Sequence, residues 1–143
     1  MVHGVETAAE REAAGKPPDA TLKLEFNSAA GGGFELQFQD DGRGLDPDKV
    51  REVAVAKGLL SEAEAGQLSD RHAIKLIFKS GFTTLQNTDT DPKHGTGMSL
   101  VRRYVQEAGG KIALASLPGH ETRFKVTLPA VEAALQAPNA QVA

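Results

Sequence analysis

The sequence has no cysteine among its 143 residues, which excludes disulfides and thiolate metal sites and agrees with a reducing compartment. It has no apolar run near the roughly 20 residues that span a bilayer. Its first residues, MVHGVETAAEREAAGKPP, lack the apolar centre of a secretory signal. Neither sign of charge dominates, since 16 Lys and Arg stand against 19 Asp and Glu for a formal net charge of −3. Nucleic acid and membrane are therefore not expected as partners, and a cytoplasmic protein is expected. No His, Asp and Glu set shows metal-ligand spacing, so no metal-ligating residue is assigned. What is present is an ordinary globular composition, 40% hydrophobic and 24% charged, at a length that suits one domain with one core.

Local patterns place the elements. VETAAEREAA (residues 5–14) predicts a helix, ended by GKPPD, where Gly suits a C-terminal cap and the prolines cannot continue. TLKLEF (21–26) and FELQF (34–38) alternate apolar with polar residues and predict half-buried strands joined by the glycine-rich NSAAGGG. Leu22, Leu24 and Phe26 are expected to share a face with Phe34, Leu36 and Phe38. Asp46 is a good N-cap and Pro47 suits the first helical position of the next helix, while Ser61 and Glu64 stand at capping-box spacing. DRHAIKLIFKSGF predicts a helix with Ile74, Leu76, Ile77 and Phe78 inward. The polar TTLQNTDTDPKHGTG is as long as loops get in compact domains, a length usually functional or disordered. A helix from Met98 to Ala108 follows, with Leu100, Val101, Tyr104 and Val105 as a core stripe. KIALAS and RFKVTL are the last strands. The expected fold is α+β, a two-layer sandwich with a mixed, mostly antiparallel sheet and helices on one face. Residues 1–130 form the domain, and 131–143 a short helix and loose tail.

Two glycine pairs stand out. Asp40-Asp41-Gly42-Arg43-Gly44 follows a strand, and Gly95-Thr96-Gly97 precedes a helix. A helix N-terminus offers free N–H groups and partial positive charge, and glycine lets an anion approach them, so the second pair suits phosphates. The first pair sets a carboxylate at a strand end, where burial demands a donor or a proton. An adenine amino group is such a donor, and the long polar loop between the pairs is placed to fold over a ligand. Each glycine pair alone is also a common turn device. In this order, with the loop between and Gly109-Gly110 after the helix, they are far more specific.

With these residues the sequence resembles the ATP-binding (GHKL, or Bergerat) domain shared by histidine kinases, DNA gyrase B, Hsp90 and MutL, and most of all that of CheA-type chemotaxis histidine kinases. The resemblance runs from about residue 3 to 129. DDGRGLDPDKVREVAVAKGLLSEAEAGQLSDRHAIKLIFKSGFTT carries the insert typical of CheA-type chains. HGTGMSLVRRYVQEAGGKIALAS resembles the second glycine motif, and PGHETRFKVTLP the last strand pair. The resemblance implies that Asp40 accepts a hydrogen bond from the adenine amino group, with Gly42 and Gly44 turning the chain under the base. Gly95, Thr96, Gly97 and Met98 would present N–H groups to the phosphates, with His3 and His94 beside them, and Thr122 would hold Asp40 or a water. Residues 83–94 would be the ATP lid. It further implies ATP with Mg²⁺ as cofactors. The γ-phosphate would pass to a His-containing phosphotransfer domain, and a kinase dimer partner or coupling protein would be a further partner. No catalytic residue of this chain is assigned.

The chain departs from that pattern in places. The family's first motif lies on a helix and ends in Asp-His-Gly, downstream of an Asn that ligands Mg²⁺. Here only His3 and Gly4 correspond, Val2 replaces the Asp, and the Asn has no counterpart. Lys93 takes the place of the glycine motif's first Gly, and Glu121 that of a Gly in the late turn. A weakened Mg²⁺ site is expected, and with the motif's helix missing, an uncovered apolar strip on the sheet. A second copy of the chain or the tail (131–135) is expected to cover that strip. An alternative is a degenerate member without catalysis, acting as an interaction module. A gyrase- or MutL-like ATPase fits less well, since those chains lack the insert after Gly44.

Overall fold

The computed structural model describes residues 4–29, 31–82 and 97–130. His3, the loop 83–94 with His94, Gly95, Thr96 and the tail 131–143 lie outside those residues.

The chain enters through a short helix, α1 (Ala8–Ala13). Thr7 caps it in a reciprocal box, the Glu10 carboxylate accepting from Thr7 N at 2.8 Å while the Thr7 hydroxyl accepts from Glu10 N at 3.4 Å. Two strands, β1 (Leu22–Ser28) and β2 (Phe34–Asp40), then form a hairpin, and β3 (Lys111–Leu117) and β4 (Glu121–Leu128) form another near the end. The four strands make one sheet in the order β1-β2-β4-β3. All three ladders are antiparallel, so the sheet expected to be mostly antiparallel is wholly so among the described residues.

Register decides what the sheet presents. Leu24 stands opposite Phe38, Phe38 opposite Phe124, and Phe124 opposite Leu114. Directly paired residues share a face. Leu22, Leu24 and Phe26 therefore lie on the side of Leu36, Phe38, Asp40, Thr122 and Leu114, while Lys23, Glu25, Gln37 and Gln39 lie on the other.

The second layer comes from the middle of the chain and from α5 (Met98–Glu107). Helix α2 (Pro47–Ala56) begins where expected, with Asp46 accepting from Asp48 N at 2.9 Å and Pro47 at the first position. Helix α3 (Glu62–Gln67) carries the Ser61–Glu64 box. The single helix expected over DRHAIKLIFKSGF is instead a short helix, α4 (Asp70–Ala73), running into a 3-10 segment, Ile74–Phe78. Three residues per turn stack Ile74 over Ile77, and with Phe78 they face the core.

That core consists of Val50, Ile74, Ile77, Phe78 and Leu114, with Leu45, Leu76, Phe82, Met98, Ile112 and Phe124 packed against it. Phe78 meets Phe124 edge-on at 6.3 Å. All of this sits over the β3–β4 side of the sheet. On the other side β1, expected to be half buried, is exposed at every residue. The expected core stripe of α5 is likewise only partly internal. Val105 is buried, but Val101 is 41% and Tyr104 56% exposed, because the helix packs on β3 and the 3-10 segment and no described element flanks its other side.

Candidate functional site

Asp40 ends β2, between Leu22 and Thr122 across its two ladders. Its Oδ1 accepts from Gly42 N at 3.0 Å, and Oδ2 has no protein donor among the described residues. Burial pushes the Asp40 carboxyl above its ordinary range. The Gly42 N–H opposes this, and the negative charges of Asp41 and Glu6 add to it.

Asp41, its neighbour, has the opposite surroundings. Its carboxylate accepts from Arg11 Nη2 at 3.0 Å and from Thr21 N at 2.9 Å. Burial alone would raise its carboxyl, but the Thr21 N–H and the Arg11 guanidinium outweigh burial and hold it below the usual range. Arg11 is the centre of a knot. It is 1% exposed and donates also to Pro17 O at 2.7 Å, Asp19 O at 3.3 Å, Asp41 O at 3.2 Å and Glu6 at 3.4 Å. Lys16 Nζ donates to Glu6 at 2.8 Å and to the carbonyls of Asp41 and Gly42. Two adjacent acids thus divide the work: Asp41 ties down the N-terminal segment and Asp40 keeps a free oxygen. Sequence reasoning missed Glu6, Arg11 and Lys16, because no periodicity links positions 30 apart, as Arg11 and Asp41 are.

The first glycine pair is fixed by the chain's own backbone. A Cβ at Gly42 would stand 2.2 Å from Gly4 O and 2.8 Å from Asp40 Oδ1. Gly44 has φ +67°, and a Cβ there would stand 2.3 Å from Leu117 O. Both are points where two chain segments touch. Arg43 joins the same turn to both sides, its N–H donating to Gly4 O and its carbonyl accepting from Gly119 N. Ser116 Oγ adds a tie, accepting from Leu45 N at 2.8 Å and donating to Glu121 O.

Beside this turn lies a cavity of about 610 Å³. Leu45, Val50, Val53 and Phe82 give it apolar walls, Gly4, Gly44 and Thr122 also line it, and Arg43, Asp46 and Lys49 bring charge to it, while Asp40 lines a separate cavity of about 160 Å³ with Thr21, Lys23, Gln39 and Asp41. Thr122 is buried and is the ladder partner of Asp40, yet no hydrogen bond joins its hydroxyl to that carboxylate among the described residues. Arg43 and Lys49 were not singled out from sequence, where a cation in a turn or on a helix looks the same whether it borders a cavity or solvent.

Gly97 caps α5 at φ 117° and ψ −151°, with no side chain over the helix's free N–H groups. Its carbonyl accepts from Leu100 N and Val101 N. Met98 packs against the core cluster that includes Val50, itself a wall of the cavity. Taken separately, Asp40 offers one carboxylate oxygen for a hydrogen-bond donor, the cavity an apolar slot for a flat group, and the start of α5 free amides for an anion.

Comparison with known proteins follows the same lines. The family described as histidine kinase-, DNA gyrase B-, and HSP90-like ATPase matches residues 4–132. A gliding motility regulatory protein of Myxococcus xanthus is 35% identical over 127 residues, which is 89% of this chain and 16% of that protein. The chemotaxis protein CheA of Rhizobium meliloti (strain 1021) is 37% identical over 133 residues, 93% of this chain and 17% of that protein. The chain thus spans about a sixth of the length of these relatives. A solved histidine kinase domain from the Erythrobacter litoralis EL346 blue-light activated histidine kinase aligns with 83% of this chain and 36% of its own, at 13% identity and a TM-score of 0.45.

Proposed function

The chain belongs to the histidine kinase-, DNA gyrase B-, and HSP90-like ATPase family, and from that premise we propose that it is the ATP-binding domain of a CheA-like histidine kinase in chemotaxis signalling. The observation that carries the reading is Asp40. It is a strand-end carboxylate paired across the ladder with Thr122, a residue that lines the apolar cavity, and it has one oxygen satisfied by Gly42 and the other without a protein donor among the described residues. An adenine amino group supplies that donor, and the walls of Leu45, Val50, Val53 and Phe82 suit the flat base. Gly42 and Gly44 shape the turn beneath it, and Thr122 borders it with a hydroxyl free to hold a water. The opening amides of α5, from Gly97 and Met98 with Gly95 and Thr96 ahead of them, take the phosphates, with His3 and His94 as further candidate contacts. Residues 83–94, which lie outside the described residues, are assigned the lid by the same resemblance.

ATP supplies the phosphoryl group, and this chain's residues bind and orient it while the acceptor His comes from a separate phosphotransfer domain. Among the described residues no three His, Asp or Glu converge to cage a cation. Mg²⁺ would ride on the phosphates with water, because it keeps several waters in its shell. A kinase dimer partner and a coupling protein complete the proposed assembly.

Calorimetric titration with a non-hydrolysable ATP analogue and Mg²⁺ tests the reading. The chain is expected to bind, and Asp40→Ala to lose about tenfold or more in affinity, the scale of a hydrogen bond to a charged group. Absence of binding by both proteins would instead favour the degenerate, non-catalytic reading.

A further inference from the structure

Among the described residues the Asp40 carboxylate has one donor, the Gly42 N–H at 3.0 Å, so whatever orients that N–H orients the carboxylate. The Gly42 N–H belongs to the same planar peptide group as the Asp41 carbonyl. That carbonyl accepts from Lys16 Nζ at 3.0 Å and from Arg11 Nη1 at 3.2 Å. The peptide groups on either side are pinned as well. Asp41 N donates to Thr21 O, Lys16 Nζ also reaches the Gly42 carbonyl at 2.8 Å, and Arg43 N donates to Gly4 O. The two cations are themselves held. Lys16 N donates to Arg11 O, and the Glu6 carboxylate accepts from Lys16 Nζ at 2.8 Å and from Arg11 Nη1 at 3.4 Å. Their side chains are 14% and 1% exposed, so bulk water screens them little. Two buried cations thus converge on one carbonyl, and its peptide group is the one that holds Asp40.

We propose that Lys16 and Arg11 are positioning residues for Asp40, acting through the Asp41–Gly42 peptide group to fix the carboxylate with its second oxygen kept for a ligand. This rests on the nucleotide reading above. The trans peptide aims the N–H away from the carbonyl oxygen, so the cations act on the carboxylate without bonding it. A cation on the carbonyl polarises the whole peptide group and makes its N–H a stronger donor. Uncharged Leu22 and Thr122 flank Asp40 across the ladders. Of the charged groups around it, Asp41 and Glu6 oppose its ionisation, Lys16 supports it, and Lys23 shares its small cavity. Loss of Lys16 therefore makes Asp40 titrate at higher pH, through a lost charge and a weaker Gly42 N–H.

The test is NMR of the full 143-residue chain, reading the Gly42 amide proton and the Asp40 carboxyl titration, beside calorimetry with a non-hydrolysable ATP analogue and Mg²⁺. In Lys16→Met the Gly42 proton is expected to move upfield and Asp40 to titrate at higher pH. Affinity is expected to fall about three- to tenfold, the scale of one hydrogen bond, and its decline in acid to begin at higher pH. Lys16→Arg keeps a cation and its donors and is expected to return these readings toward those of the unaltered chain. Arg51→Met breaks the ties to Asp48, Asp70 and Leu68 O on α2, and is expected to lower stability while leaving the Gly42 and Asp40 signals in place. A Gly42 proton or an affinity that Lys16→Met leaves unmoved overturns the proposal. So does a Lys16→Arg chain no closer to the unaltered one, or an Arg51→Met chain that shifts both signals as far. If the unaltered chain binds no analogue, the nucleotide reading fails, and the two NMR signals still decide whether Lys16 positions Asp40.

Discussion

Asp40 and Asp41 are adjacent, carry the same charge and respond to pH in opposite directions. The Asp40 carboxyl is raised, chiefly by burial. The folded chain therefore holds that proton more tightly than the unfolded chain, and ionised Asp40 detracts from stability at neutral pH. The penalty is relieved as pH falls through the raised value. Asp40→Asn keeps an acceptor for Gly42 N and removes the charge. It is expected to leave stability at pH 7 equal or higher by up to about 0.5 kcal/mol, a small effect for a partly exposed group. The advantage should vanish in acid, and thermal melts from pH 7 down to about pH 3 read it. A donor bonded to Asp40 favours the ionised form, so nucleotide affinity is expected to fall as pH drops through the raised range. Asp41 and Glu6 have lowered carboxyls, in each case despite burial, so their support is present above about pH 4 and lost as pH falls through their lowered values. Arg11→Met removes the cation bonded to Asp41 and leaves Glu6 with Lys16 alone, and it is expected to cost roughly 3 kcal/mol in urea unfolding, because a guanidinium 1% exposed and its several hydrogen bonds are lost. The sequence identified Asp40 by its place at a strand end, and it left Arg11 as one charge among many on a short helix. Its partners come from three separate stretches of chain, and only the folded structure brings those together.

At the scale of elements, what the sequence could announce was chemistry confined to one turn. Asp46 before Pro47, and Ser61 before Glu64, are caps whose donors and acceptors are neighbours in sequence, and both were found in place. The segment Ile74–Phe78 was not legible in the same way. Apolar residues at 74, 77 and 78 satisfy helical and 3-10 spacing alike, and the tighter winding is visible only in its hydrogen bonds. Turns between elements show a similar contrast. Gly44 looked like a residue that lets chain pass under a ligand, and the structure shows it also lets chain pass against chain. Gly44→Ala must fit a Cβ 2.3 Å from Leu117 O at φ +67°, and is expected to destabilise by about 1–3 kcal/mol. Chemical denaturation measures this. Ser116→Ala, which removes the tie to Leu45 N, should cost less, about 1 kcal/mol.

Among the described residues the molecule is a sheet with its second layer set to one side. Alternation told which residues of β1 share a face, and it could not tell whether anything would cover that face. Coverage is a property of the other layer, and that layer gathers over β3 and β4 around Leu114 and Phe124. The same limit explains Val101 and Tyr104, which have core spacing and stand exposed. A ligand that binds only the folded chain adds to its stability, by about 2.7 kcal/mol at a hundredfold excess over its dissociation constant. The ATP analogue with Mg²⁺ is therefore expected to raise the melting temperature of this chain and to raise that of Asp40→Ala less at the same concentration.

The knot at Arg11 has a mechanical consequence. Gly4 is hydrogen-bonded to the N–H of Arg43, and Arg11 and Lys16 fasten the stretch behind it to the carbonyls of Asp41 and Gly42. The chain ahead of β1 is therefore moored to the hinge on which Asp40 sits. A pull at residue 4 does not dissipate along a slack leader but arrives, within one turn of backbone, at the carboxylate.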